Sequence, residues 1–350
     1  MQIATMARCP QRGASLTELL VGLLIGLVAV VVILNVFAAA EGLKRNAAGA
    51  AEAQQSGLLS AFTLEVDIAN AGNGLAAAMS ELGTCPDTGD IRTSLRPIPV
   101  LITAGATADA PDSFVVHYAV APALTGPMPF ATDAPAGSSY RIRSPTGFAP
   151  KDTVVAISLT GHCVATTATA VTPPDPDGVV EIAHAGAPDA YPASSLLFNL
   201  GPGSRVQRVR YDIVDSSLRS LDLVNPGATP NPLASNVVNM KVQYGVDNDN
   251  DGFLDTWVPA TAAPWTPASV LAAPAATLAG IKAIRIGLIV RSETYDRDAS
   301  RNFNWVLFDC GLADKTQCAG RLAGTLPPNW RYRTYEMVIP LRNQIWNSRP

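Results

Sequence analysis

The chain has 350 residues, of which 48% are hydrophobic and 15% are charged, and its formal net charge is −4. This length is sufficient for one large domain or two small ones, each with a buried core. Nucleic-acid-binding proteins usually carry basic clusters, and the chain has no basic run beyond its first residues, so we expect no nucleic-acid partner.

The N-terminal segment passes from basic residues into a long apolar run. Two arginines precede Gly13, and a nearly unbroken apolar stretch extends from Leu19 to Ala40. A helix of about 20 apolar residues can span a bilayer, so we expect a transmembrane segment over about residues 17–40. Glu18 stands at the front edge of this run, where an unpaired carboxylate is costly and is a functional candidate by default.

Two ordinary interpretations leave part of this segment unexplained. A secretory signal peptide is cut after its apolar run, and this run is longer than a usual one. A plain membrane anchor fits the apolar run better. It does not explain why the sequence Gly-Ala-Ser-Leu-Thr-Glu, residues 13–18, separates the basic end from the apolar run.

Residues 13–18 resemble the class III signal of type IV pilins and pseudopilins. In that family a prepilin peptidase cuts a short basic leader after Gly, and the new first residue is N-methylated. The resemblance implies a leader of residues 1–13, cleavage between Gly13 and Ala14, and Glu18 as the fifth mature residue. It also implies that Glu18 pairs with the amine of Ala14 on a neighbouring subunit during assembly. Ala14 departs from the family pattern, which usually has Phe at this position.

Residues 14–71 are predicted to form one long helix that ends at the sequence Asn-Ala-Gly-Asn-Gly, where glycine can take the left-handed cap. Beyond the membrane run, apolar residues recur at steps of three and four, which predicts an amphipathic face packed against a sheet. These residues are Leu58, Leu59, Phe62, Val66 and Ala69.

Residues 72–350 are predicted to form the head domain, enlarged by an irregular, β-rich insertion over about residues 75–200. Short apolar runs alternate there with Pro and Gly clusters, which favours antiparallel strands. The predicted strands in this part are residues 112–120, 152–159, 178–185 and 194–200.

The following part of the chain alternates more regularly. Residues 205–214, 217–224 and 236–246 are predicted to form a meander. Residues 282–293 should be a central strand, and residues 330–343 should be an edge or terminal strand because they contain Pro340. A long helix followed by antiparallel strands predicts an α+β fold.

The order of segments in the C-terminal half resembles the PilW family of minor pilins. The order is a strand, VQYGVDNDNDGFLD, a Pro-rich loop, IRIGLIVRSE, a cysteine loop and YRTYEMVIPLRN. With the N-terminal signal, the resemblance covers about half of the chain. It implies a pilin fold, with the helix packed on an antiparallel sheet.

The PilW resemblance also implies a place and a role. The protein would sit in the inner membrane of a Gram-negative bacterium with its head in the periplasm, and later in the pilus at the cell surface. Its partners would be other minor pilins, the major pilin, the inner-membrane assembly platform and a tip adhesin. Together they would prime pilus assembly from a tip complex, without catalysis.

Residues 247–255 carry carboxylates at alternating positions, the pattern of the front half of a calcium loop. The candidate ligands are Asp247, Asp249, Asp251, the backbone carbonyl of Phe253, and Asp255. Gly252 stands where the turn needs a glycine, but Val258 replaces the closing Glu of an EF-hand. The flanking strands predict a β-hairpin tip that binds calcium. The alternative is a solvated acidic turn.

Four cysteines remain after Cys9 is assigned to the leader, and an exported head makes disulfides plausible. Four cysteines permit three connectivities. We favour Cys310–Cys318, which closes a short loop, and by default Cys85–Cys163. No Cys-x-x-Cys pair indicates a zinc site.

The sequence gives no support for an enzyme. The three histidines are isolated, and neither a GxSxG motif nor a phosphate-binding glycine loop occurs. Two alternatives to the minor pilin remain open. One is a minor pseudopilin of type II secretion, of the J type, and the other is a membrane-anchored, calcium-dependent adhesin or binding module.

Processing at Gly13 can be tested directly. Protein isolated from membranes of a host with prepilin peptidase should have an intact mass and N-terminal sequence that begin at Ala14, with or without one methyl group. A retained Met1, or a start near Glu41, would contradict pilin-type processing.

Overall fold

The structure is a computed structural model that describes residues 15–75, 79–86, 88–119, 126–143, 147–186, 189–202, 206–225, 227–296 and 299–347. The predicted leader and its cleavage site at Gly13 and Ala14 lie outside these residues. The chain forms two compact units, residues 1–51 and residues 52–350.

The helices are α1 (Leu16–Ala69), α2 (Met79–Leu82), α3 (Pro267–Ala272), α4 (Ala275–Ala279) and α5 (Arg342–Asn347). The strands up to residue 202 are β1 (Val100–Thr103), β2 (Ser113–Ala119), β3 (Met128–Pro129), β4 (Tyr140–Arg143), β5 (Asp152–Ile157), β6 (Cys163–Val171), β7 (Val179–His184) and β8 (Leu196–Pro202). The later strands are β9 (Val206–Val214), β10 (Ser217–Asp222), β11 (Asn231–Ser235), β12 (Val237–Val246), β13 (Thr256–Pro259), β14 (Ile281–Arg291), β15 (Phe303–Leu307), β16 (Leu322–Leu326) and β17 (Tyr332–Pro340).

The first unit contains the N-terminal part of α1. The large apolar side chains from Leu16 to Phe37 are exposed. By length and composition, α1 is a candidate membrane-spanning helix, as the sequence predicted.

The second unit is built on a four-stranded antiparallel sheet in the order β13-β12-β14-β17. The predicted central strand, residues 282–293, is confirmed as β14, and the predicted last strand is confirmed as β17 at the edge of this sheet. One face of the sheet joins the main core together with the C-terminal part of α1. On the opposite face, Asn239, Lys241 and Gln243 donate hydrogen bonds to backbone carbonyls of covering segments. The α+β class is therefore confirmed.

The predicted buried face of α1 is wrong for four of its five residues. Leu58, Leu59, Phe62 and Val66 are exposed, and only Ala69 packs against the core. The opposite face of the helix is buried instead, through residues spaced three or four apart. They are Ala53, Gly57, Ser60, Leu64 and Ile68.

Small residues explain why this face is the one that packs. A Cβ added at Gly57 would overlap the ring of Tyr335 in β17. The Tyr335 hydroxyl donates a hydrogen bond to the carbonyl of Ala53 at 3.3 Å. The ring therefore lies directly on the helix backbone, in space that only glycine leaves open.

A second sheet has five strands in the order β1-β2-β9-β10-β11. The predicted strands at residues 205–214 and 217–224 pair in this sheet as β9 and β10. The third strand of the predicted meander is misplaced, because β12 belongs to the four-stranded sheet. The short strand β11 takes its place beside β10, and Asn236, with φ of 62°, directs the chain into the other sheet.

Residues 128–202 form a third sheet in the order β3-β8-β5-β6-β7-β4. An antiparallel bridge between Phe130 and Ile142 joins the β3 end to β4, so that the sheet closes into a small barrel with its own core. The predicted strands at 152–159, 178–185 and 194–200 are β5, β7 and β8. The predicted strand at 112–120 is β2, which pairs with β9 in the five-stranded sheet.

Both expected disulfides are present. Cys85 pairs with Cys163 at the start of β6, with their Cα atoms 5.4 Å apart. Cys310 pairs with Cys318, also with Cα atoms 5.4 Å apart, and closes the loop between β15 and β16.

Because of the contact with Tyr335, we expect Gly57 to be an exception to the usual stabilising effect of Gly→Ala in a helix. Gly→Ala inside a helix normally stabilises a protein by about 1 kcal/mol. Here we expect Gly57→Ala to destabilise the head by about 1–3 kcal/mol, because the new methyl group displaces Tyr335. Unfolding of the full chain in detergent, followed by circular dichroism, measures this change.

The matched control is the same substitution in a Tyr335→Ala background. With the ring removed, Gly57→Ala should be neutral or stabilising. An equal loss of stability in both backgrounds would show that the ring is not the cause.

Candidate functional site

The start of α1 is organised by a reciprocal pair of hydrogen bonds. The backbone N–H of Glu18 donates to Ser15 Oγ, and the backbone N–H of Ser15 donates to Glu18 Oε2, both at 3.2 Å. This is a capping box, which satisfies two backbone N–H groups at the helix start. The sequence analysis missed Ser15, although the pattern Ser-x-x-Glu before an apolar run signals such a cap. Glu18 therefore has a local structural role within the chain.

The exposed residues Leu58, Leu59, Phe62 and Val66 form an apolar stripe on α1. Their exposed fractions are 55%, 50%, 66% and 44%, although all four are large apolar side chains. Residues four apart lie one above another on a helix, so these side chains share one face. This face lies opposite the one that packs against the sheet.

The acidic loop, residues 247–255, connects β12 to β13, as predicted for a hairpin tip. The backbone N–H of Asp247 donates to the carbonyl of Gly280 at 2.9 Å, and that of Asp255 donates to the carbonyl of Val246 at 2.9 Å. Gly252 has φ of 94°, a left-handed conformation that favours glycine. The predicted need for glycine at this turn position is confirmed.

The fold brings three of the predicted carboxylates together. One carboxylate oxygen from each of Asp247, Asp249 and Asp255 lies within 4.8 Å of the others. Asp249 and Asp255 are exposed, whereas the Asp247 side chain is fully buried. Asp247 Oδ2 lies 3.7 Å from Lys282 Nζ and accepts a hydrogen bond from the Gly252 N–H.

The carboxylate of Asp251 lies outside this group. Asp251 Oδ1 accepts a hydrogen bond of 2.8 Å from the N–H of Phe253, which closes a local turn. The backbone carbonyl of Phe253 stays a predicted ligand. The calcium prediction itself therefore depends on three side chains and not on all four aspartates.

A second acidic group, Asp309 with Cys310 and Cys318, has no free thiol to offer, because the two cysteines are bonded to each other. This cysteine loop lies against the covered face of the four-stranded sheet. Arg285 donates to the carbonyl of Ala319 at 2.7 Å, and its guanidinium lies 4.3 Å from the ring centre of Phe308. Burial lowers the pKa of Arg285 to about 10, so the group stays charged at neutral pH.

The three histidines lie apart from this loop. Burial lowers the pKa of His117 well below its usual value, so its ring is neutral at pH 7. His162 is exposed and pairs with Asp189, and His184 contacts the carbonyl of Ser138. Within the described residues, neither His162 nor His184 forms a hydrogen bond with a side chain that it could activate as a nucleophile.

Residues 208–343 match the family model of type IV pilus-assembly protein W, PilW. We refer to residues 208–343 as the PilW segment. The resemblance expected from the C-terminal half of the sequence is thereby confirmed. The PilW segment contains the acidic loop, the cysteine loop and the central strand β14. It supports a component of the type IV pilus.

A comparison with curated proteins found no match. Among solved structures, the chain is similar to a type IV-like pilin from Thermus thermophilus, with 9% sequence identity and a TM-score of 0.34. The similarity covers 83% of this chain and 96% of that pilin.

Proposed function

We propose that the protein is a minor type IV pilin that assembles through α1 into a complex at the pilus tip and primes pilus assembly. The PilW segment supports the pilus system. The observation that carries the assembly role is the apolar stripe, because it is a surface of a folded head that lacks an apolar cover within the described residues.

The stripe favours a helical partner. Exposed contiguous apolar surface on a soluble domain usually marks an interaction site. A row of large side chains at steps of four is the ridge that packs into the groove of another helix. Neighbouring pilin subunits would offer such helices, and burying the four side chains against them would favour association.

Glu18 would place the subunit during assembly. Its carboxylate is exposed at the start of a membrane-spanning candidate, where a charged partner lowers the cost of burial. After cleavage at Gly13, the amine of Ala14 on a neighbouring subunit is the partner we propose. The other partners are the major pilin, the inner-membrane assembly platform and a tip adhesin.

The apolar stripe predicts an assembly defect without a folding defect. Leu58→Gln combined with Phe62→Gln should leave the melting temperature of the head nearly unchanged, because both side chains are exposed and Gln favours helix. Surface pili, counted by electron microscopy in the native host, should be strongly reduced.

The matched control for the stripe is Leu159→Gln, which removes a leucine that is 77% exposed in a turn of the barrel. Pili should remain normal in this variant. Normal pili in the stripe variant, with the protein present at wild-type levels, would overturn the proposed role of the stripe.

Two substitutions at Glu18 separate its role in capping α1 from the role of its negative charge in assembly. Gln can replace Glu in a capping box, so Glu18→Gln keeps the helix cap and removes the charge, whereas Glu18→Ala removes both. If charge pairing drives assembly, both variants should lose pili while remaining in the membrane. Normal piliation with Glu18→Gln would limit this residue to capping.

The same variants separate the alternatives. Loss of exoprotein secretion with intact pili would indicate a minor pseudopilin of the J type. Intact function after Glu18→Ala would favour a membrane-anchored binding module that does not polymerise.

A further inference from the structure

We propose that the acidic loop binds one Ca²⁺ ion through the carboxylates of Asp247, Asp249 and Asp255. The inference does not depend on the pilus role, because it concerns a hairpin within the folded head. Of the ligands predicted from the sequence, the proposal keeps the three side chains that the fold brings within 4.8 Å of one another.

A buried oxygen without a partner points to a cation. The side chain of Asp247 is fully buried, and its Oδ2 atom is engaged by Lys282 and by the Gly252 N–H. Its Oδ1 atom is buried and has no hydrogen-bond partner among the described residues. A buried carboxylate oxygen without a partner is costly, whereas a coordinated metal ion satisfies it. This oxygen is therefore an observation separate from the acidic cluster.

The chemistry of the ligands favours calcium. The three ligands are carboxylates from one loop, without any thiolate or imidazole in the group. Hard oxygen ligands suit Ca²⁺ or Mg²⁺, and an irregular loop with several carboxylates suits the larger, more adaptable Ca²⁺. Backbone carbonyls of the loop and water molecules would complete its coordination.

Charge balance supports the same ion. The acidic loop holds four carboxylates. Among the described residues, Lys282 lies 3.7 Å from Asp247 and supplies one positive charge. The loop therefore keeps an excess of negative charge that a divalent cation would reduce. Because Lys282 already neutralises part of this charge, we expect a modest calcium affinity.

Bound calcium would connect three strands of the four-stranded sheet. Asp247 follows β12, and its N–H donates to the carbonyl of Gly280 just before β14. Asp255 precedes β13, and its N–H donates to the carbonyl of Val246. An ion between Asp247 and Asp255 would hold the edge strand β13 against β12. Calcium should therefore stabilise the sheet as well as the loop.

The test uses the full chain, purified in detergent and treated with EDTA. Titration calorimetry with CaCl₂ should give one site per chain, with a dissociation constant of about 10 µM to 1 mM. Saturating Ca²⁺ should raise the melting temperature, because a ligand that binds only the folded state stabilises it. MgCl₂ at the same concentration should give a smaller shift.

Asp249→Asn is the decisive variant. Asp249 is exposed, and Asn keeps an oxygen that can accept the existing hydrogen bond from the Asp251 N–H. Folding should therefore be retained, while calcium affinity should fall by about ten-fold or more with the loss of one charged ligand. Asp177→Asn, in the exposed turn between β6 and β7, is the matched control and should leave the affinity unchanged.

Three outcomes would overturn the proposal. The first is the absence of both calorimetric heat and a melting shift in the wild-type chain. The second is an unchanged affinity in Asp249→Asn. The third is an equal loss in Asp249→Asn and Asp177→Asn, which would indicate diffuse attraction of cations to an acidic protein.

Discussion

The contact between Tyr335 and Gly57 is the constraint on which the head depends. An aromatic ring lies on the backbone of α1, and this is possible only where the helix has no side chain. The contact fixes which face of the helix meets the sheet, so that Leu64 and Ile68 enter the main core. The same orientation turns Phe62 and its neighbours outward. The buried core face and the exposed apolar stripe of α1 thus both follow from the same orientation of the helix.

The sequence predicted the elements with strong local signals. The apolar helix, the central strand β14, the edge strand with Pro340 and the hairpin at the acidic loop are present as expected. The buried face of α1 could not be read in this way, because both of its faces are apolar and only the small residues distinguish them. Likewise, β6 has the sequence CVATTATAV, whose small and polar residues give a weak strand signal. The strand β11 contains Pro232 and resembles a loop, so the change of sheet after it was missed.

The candidate site could also be predicted only in part from the sequence. The alternating aspartates and Gly252 identify the acidic loop from sequence, because their spacing is a property of the chain. Which carboxylates meet is a property of the fold. Asp251 follows the spacing, but its carboxylate lies outside the group of three that the fold brings together. The burial of Asp247 depends on β14, which lies far along the chain and supplies Lys282.

The barrel of residues 128–202 leaves and rejoins the head at adjacent points. Ala119 at the end of β2 pairs with Val206 at the start of β9, so the strands on either side of the barrel are neighbours in one sheet. The bridge between Phe130 and Ile142 also closes the barrel. A change of length inside the barrel need not alter the register between β2 and β9. Each such change must still keep Cys163 within bonding distance of Cys85 and preserve the apolar cluster that β5 and β8 share with the segment after α1.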